Sequence, residues 1–149
     1  MAEIVNSEER MLSVPQIMAI AAENTGVNRP LKEVIQMLSL ELSLPEIWKC
    51  REGNTLFICH KSKHPGYGYF RALNADTAQN YVANSRKFMV AAYKAGFDVL
   101  VTQFKDPSVL NIFKIIGRDK PKGMGYAVQH TNDGGYQVTL NLGLSRGGQ

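Results

Sequence analysis

The spacing of hydrophobic positions changes several times along this chain. From Pro15 to about Asn24, Ile17, Ile20 and Ala21 fall on one side of a helix, which Gly26-Val27-Asn28 breaks. Pro30 opens a second helix, where Leu31, Val34, Ile35, Leu38 and Leu42 keep helical spacing. Before both, Met11 to Val14 reads as a short first strand. Ile47 to Arg51 and Thr55 to His60 then pair as a hairpin around Gly53-Asn54. A loop from Lys61 to Gly66 leads to a third strand, Tyr67 to Leu73. Asp76 is expected to cap the next helix, which runs to about Ala95 with Ala78, Val82, Met89 and Ala92 on its apolar face. Gly96 closes it. Phe97 to Phe104 holds Val99, Leu100 and Val101 in a row, as a strand covered on both faces would. Asp106-Pro107 opens a further helix, with Asp as cap and Pro in the first turn, and Gly117 is read as its end. Tyr126 to His130 and Tyr136 to Leu142 form a last hairpin around Asn132-Asp133-Gly134-Gly135.

This order predicts an α/β fold with a mixed sheet and helices on both faces. Strands 67–73 and 97–104 are joined by a helix and should be parallel neighbours, whereas the hairpin-joined strands are antiparallel. The 149 residues are expected to form one domain, with residues 1–14 and 143–149 as loose ends.

Composition narrows the class. Hydrophobic residues make up 44%, which suits a packed core and not a disordered chain. No apolar run approaches the roughly 20 residues that span a bilayer. The opening stretch MAEIVNSEERM is acidic and polar, unlike a secretory signal. A net charge of +4 is mild, and the basic residues are scattered apart from Lys61/Lys63 and Arg118/Lys120/Lys122. Cys50 and Cys59 flank the first hairpin turn in a register that does not set them opposite one another. They read as reduced, semi-buried thiols of a cytoplasmic protein, and are too few for a usual zinc site.

The element order resembles the GNAT acyltransferase fold over nearly the whole chain. The specific likeness is the block 97–128. There a GNAT helix ends in a pattern like L-Y-x-x-L-G-F, and Ile112-Phe113-Lys114-Ile115-Ile116-Gly117-Arg118 occupies that place. The chain also looks like the small GNAT-like internal or head-associated virion proteins of tailed phages, in overall layout and a few apolar positions. That likeness implies residence in a virion and protein partners among phage particle components.

The GNAT resemblance implies a coenzyme A site with acetyl-CoA as cofactor. Family members hold the pyrophosphate with Q/R-x-x-G-x-G/A between a strand and the following helix, where glycines let backbone N–H groups approach the phosphates. The matching stretch is Arg71-Ala72-Leu73-Asn74-Ala75-Asp76, so Arg71, Asn74, Ala75, Asp76 and Thr77 are the candidate coenzyme residues. Asp76 places a carboxylate where a diphosphate would sit. Like charges at ~4 Å cost on the order of 1–4 kcal/mol. The family tyrosine that protonates the leaving thiolate is matched by Phe113, which reads as core filling, and the family's coenzyme-contacting Asn by Asp106, which reads as a helix cap.

Catalytic candidates are sparse. Strand 67–73 holds no acid, leaving His60 and Glu46 as candidate bases, with His64 further along a loop. His60-x-x-x-His64 lacks an evident third ligand, so no metal site is assigned. Tyr67 and Tyr69, with Lys61 and Lys63, make an aromatic-basic pattern of the kind that binds single-stranded nucleic acid, or else a half-buried strand face; Phe70 points the other way. Three functional readings follow: a GNAT-fold protein with a degenerate coenzyme site acting as a virion-associated structural or interaction protein, an active acyl-CoA-dependent N-acyltransferase, and a small nucleic-acid-binding module.

Overall fold

The structure, a computed structural model, describes residues 11–24, 26 and 28–143. The elements are α1 (Val14–Asn24), α2 (Leu31–Leu42), β1 (Ile47–Glu52), β2 (Thr55–Lys61), β3 (Tyr67–Asn74), α3 (Ala78–Lys94), β4 (Val99–Phe104), α4 (Pro107–Arg118), β5 (Gly125–His130) and β6 (Tyr136–Asn141). Six strands form one sheet in the order β1-β2-β3-β4-β6-β5, with β3 and β4 parallel and the other neighbours antiparallel. This is the mixed α/β sheet expected from the sequence.

Strand alternation sends side chains to two layers. On one face Phe57, Phe70, Leu100, Val138 and Leu140 pack under α3 and α4, against Phe88, Met89, Phe113 and Ile116. Phe57 and Phe88 stack with their centroids 4.1 Å apart and their planes 2° from parallel. Truncating either to Ala removes a fully buried ring at a cost of ~3–5 kcal/mol. On the other face Leu56 and Ile58 meet Ile17 of α1, with Leu42, Ile47 and Leu73 around them. Both sides of β2 are therefore buried, from Thr55 to Cys59.

Three local expectations need correction. Met11 to Val14 is not a strand. The Leu12 N–H donates to Asn54 Oδ1, and Ser13 stands just before α1, which begins at Val14. Ser13 and Gln16 exchange hydrogen bonds, Gln16 N–H to Ser13 Oγ and Ser13 N–H to Gln16 Oε1, which is a capping box written plainly in Ser13-Val14-Pro15-Gln16. The cap of α3 is Thr77, whose hydroxyl accepts from the Asn80 N–H, and not Asp76. Gly117 does not end α4, which continues to Arg118. It is a packing glycine: a Cβ there would lie 2.2 Å from the Tyr126 ring. By contrast Gly53 and Gly96 turn the chain at φ 55 and 106, as the hairpin and the helix end require. Residues 1–10 and 144–149, read as loose ends, lie outside the described residues.

Candidate functional site

The parallel ladder between β3 and β4 is short. It joins only Tyr67–Tyr69 to Val99–Val101. Beyond it β3 stays paired to β2 as far as Asn74, and β4 stays paired to β6 as far as Phe104. The strands fork, and the facing edges of Arg71–Asn74 and Thr102–Phe104 share no ladder. Such an edge offers backbone groups to an extended ligand. A cavity of about 410 Å³ runs beside it, lined by Arg71, Leu73 and Asn74 of β3, Met18 of α1, Leu38 of α2 and Tyr81 of α3. Burial pushes the Tyr81 phenol up to about 12, an effect that a hydrogen bond with Ser85 opposes.

The turn from β3 into α3 lies at the end of this fork, and side chains knit it together. The Ala75 N–H donates to the Asn54 carbonyl at 3.0 Å, and the Asp76 N–H to Asn74 Oδ1 at 3.0 Å. Asn74 Nδ2 returns a bond to the Asp76 carbonyl at 3.0 Å. The Asp76 carboxylate turns toward the first hairpin, accepting from the Asn54 N–H and from Asn84 Nδ2, each at 2.8 Å. Asn84 Nδ2 also reaches Thr55 Oγ1 at 3.1 Å, and Thr55 donates to Asn74 Oδ1 at 2.8 Å. The turn contains no glycine, and no non-glycine residue among those described has a positive φ. Of the predicted coenzyme residues, Asn74, Ala75, Asp76 and Thr77 come together here.

Arg71 is held elsewhere. Its guanidinium pairs with Glu41 of α2, whose other carboxylate oxygen lies 2.6 Å from His60 Nε2. The three residues clasp α2 to the outer face of β2 and β3. Glu41 thereby fixes the imidazole by one nitrogen, the geometry that orients a general base. His60 and Arg71 are candidates from the sequence, but Glu41 is not, because helical periodicity on α2 puts it off the apolar stripe without saying what it meets. Glu46 does not reach His60. Its side chain is exposed, and its backbone carbonyl accepts the Lys61 N–H.

Phe113 is core, stacked on Phe104 at 5.6 Å. Asp106 caps α4 by accepting from the Ser108 N–H at 2.9 Å, a bond that lowers its carboxyl below the ordinary range. Both cysteines are free, with Cys50 opposite Phe57 and Cys59 opposite Trp48. Burial raises the Cys50 thiol to about 11, helped by the charge and hydrogen bond of Glu52. Burial raises Cys59 further, with Cys50 adding to it. Neither is an activated nucleophile. Among the described residues no group of three or more His, Cys, Asp or Glu side chains gathers as a metal site, and no helix is long and apolar enough to cross a membrane.

No protein-family model matches the chain. No curated protein matches it either. Among solved structures, a chimera of the spermidine N-acetyltransferase SpeG from Vibrio cholerae with hSSAT superposes on it with a TM-score of 0.51 at 8% identity. The match covers 89% of this chain and 93% of that one. At that identity the likeness is one of fold: the chain has a GNAT-like mixed α/β fold.

Proposed function

We propose that this is a GNAT-fold protein with a degenerate coenzyme A site, acting as a structural or interaction protein associated with a tailed-phage particle. One observation carries the first half. The Ala75 and Asp76 N–H groups, which would cradle a pyrophosphate, already donate to Asn54 and Asn74. A phosphate would have to break these bonds in a turn with no glycine to let it approach. Support for a protein partner comes from α2, which presents Met37 and Leu40 to solvent at 53% and 70% exposure, with Leu44 beyond. The phage assignment rests on the resemblance to small GNAT-like virion proteins.

Calorimetric titration with acetyl-CoA tests the degenerate site. Absence of binding at millimolar coenzyme is the expected result. Micromolar binding with acyl transfer to an amine overturns it. Mass spectrometry of purified particles from cells producing the chain tests the second half, and its absence from every particle overturns the virion role.

The fork favours a second reading, an active acyl-CoA-dependent N-acyltransferase. An acyl-pantetheine arm would lie along the unpaired edge of β3 in the 410 Å³ cavity. His60, oriented by Glu41, would accept the proton of the attacking amine. Tyr81, in the wall of the same cavity, would deliver one to the departing thiolate. The same titration decides between the two.

A further inference from the structure

The sheet face that carries α1 and α2 is only partly covered. Those helices pack on β1, β2 and β3. Farther along β3 the same face presents Tyr67 and Tyr69, at 50% and 60% exposure. Register sets Tyr67 beside Val99 and Tyr69 beside Val101, so the two rings stand over a continuous floor of sheet. Being two residues apart on one strand, they are spaced about 6.6 Å along it. Two neighbouring open rings form a contiguous apolar patch, and such patches mark interaction sites.

Charge says what kind of ligand. The four adjacent strands β3, β4, β5 and β6 contain no Asp or Glu. At one end of the tyrosine pair the β2–β3 loop carries exposed Lys63 and His64, and the His64 ring meets Tyr67 edge-on at 6.2 Å, whereas Lys61, the last residue of β2, pairs with Gly68 and belongs to the opposite face. At the other end Arg71 lies on the same face two residues past Tyr69, with Glu41 as its carboxylate partner. Cations therefore flank a pair of open rings, over strands without acidic residues. A second copy of the chain would bring the same cations against each other, whereas a polyanion with flat faces matches both features.

We propose that this face binds single-stranded nucleic acid, with bases stacking on Tyr67 and Tyr69 and phosphates meeting Lys63 and Arg71. The rings demand unstacked bases, so a duplex fits poorly. Fluorescence anisotropy of the full chain with a labelled oligo(dT) of roughly 12 nucleotides tests this, beside a duplex of equal length. The expected result at about 50 mM salt is micromolar binding of the single strand and much weaker binding of the duplex. Log affinity should fall against log salt with a slope of about −1.4, as two phosphate contacts would give. Tyr67→Ala and Tyr69→Ala should each weaken binding about tenfold, and Lys63→Ala should flatten the salt slope. The tyrosines are exposed, so circular dichroism should find every variant folded. Three results overturn the proposal: no anisotropy change up to about 100 µM protein, equal affinity for the duplex, or tyrosine variants that bind as the parent does. Sedimentation adds a fourth, a dimer that Tyr69→Ala dissociates, which makes the face an interface between copies.

Discussion

Asn84, one of the few buried polar residues of α3, donates its side-chain amide to the carboxylate of Asp76 at 2.8 Å. The same carboxylate accepts the Asn54 N–H, so a single acid joins the first hairpin to the β3–α3 turn. A carboxylate so engaged does not project toward an incoming phosphate. Around it the Asp76 N–H is taken by the Asn74 side chain and the Ala75 N–H by the Asn54 backbone carbonyl.

Replacing Asp76 with Ala therefore weakens the fold without opening a coenzyme site. It leaves the Asn84 amide without one of its acceptors, at a cost of ~1–3 kcal/mol. Thermal unfolding should fall by roughly 3–10 °C. Asp76→Asn keeps one acceptor oxygen and should lose less. A variant as stable as the parent, or one that gains acetyl-CoA binding, contradicts this account.

Gly117 gives a prediction with the opposite sign from helix propensity. In an open helix, Gly→Ala gains roughly 1 kcal/mol. Here the new methyl would meet Tyr126 Cε1 at 2.2 Å, so Gly117→Ala should lose ~1–3 kcal/mol by overpacking. Adding Tyr126→Ala should remove that penalty, and urea denaturation of the two single variants and the double variant measures the coupling. A melting temperature that rises on Gly117→Ala alone refutes the packing role.

The sequence made much of this visible because period and punctuation report local structure. Leu31, Val34, Leu38 and Leu42 announced α2, Gly53-Asn54 the hairpin, and Asp106-Pro107 the start of α4. Failures came where a residue's role is set by something distant in sequence. Asp76 looks like a cap until Asn54 and Asn84 are brought to it from 22 and 8 residues away. Gly117 looks like a helix stop until β5 lays Tyr126 against it. Glu41 became part of a site only when β2 and β3 folded beneath α2, which set His60 and Arg71 on either side of it. The first turn of α1 is different: its capping box, Ser13 with Gln16, lies within four consecutive residues and is legible without the fold.

Alkaline pH should loosen the protein through its thiols. Cys50 is raised from 9.0 to about 11 in the folded chain, so the native state holds its proton where the unfolded state has released it. Its contribution is complete below about pH 9 and lost as pH climbs through about 11. Cys59 acts in the same direction. Urea midpoints at about pH 8 and about pH 10.5 should drop less between the two conditions for Cys50→Ala than for the parent. Equal drops would assign the alkaline loss to other groups. Iodoacetamide should also modify the folded protein slowly at neutral pH, since little thiolate exists to react.

The Glu41 clasp separates a structural role from a catalytic one. Arg71 and His60 are 47% and 38% exposed at their side chains, so solvent screens both pairs. Glu41→Gln keeps a hydrogen-bonding side chain and removes the charge, and it should cost about 1 kcal/mol or less in stability. For a protein with a degenerate coenzyme site that small loss is the whole effect, and Arg71→Gln should produce a similar one. For an acyltransferase, Glu41→Gln would also leave His60 without the carboxylate that orients it, and the turnover number would fall, while Arg71→Gln left that pairing in place. Measuring acetyl transfer to peptide amines, for the parent and both variants, distinguishes these outcomes. No transfer in the parent, with only the stability change in Glu41→Gln, is the result expected here.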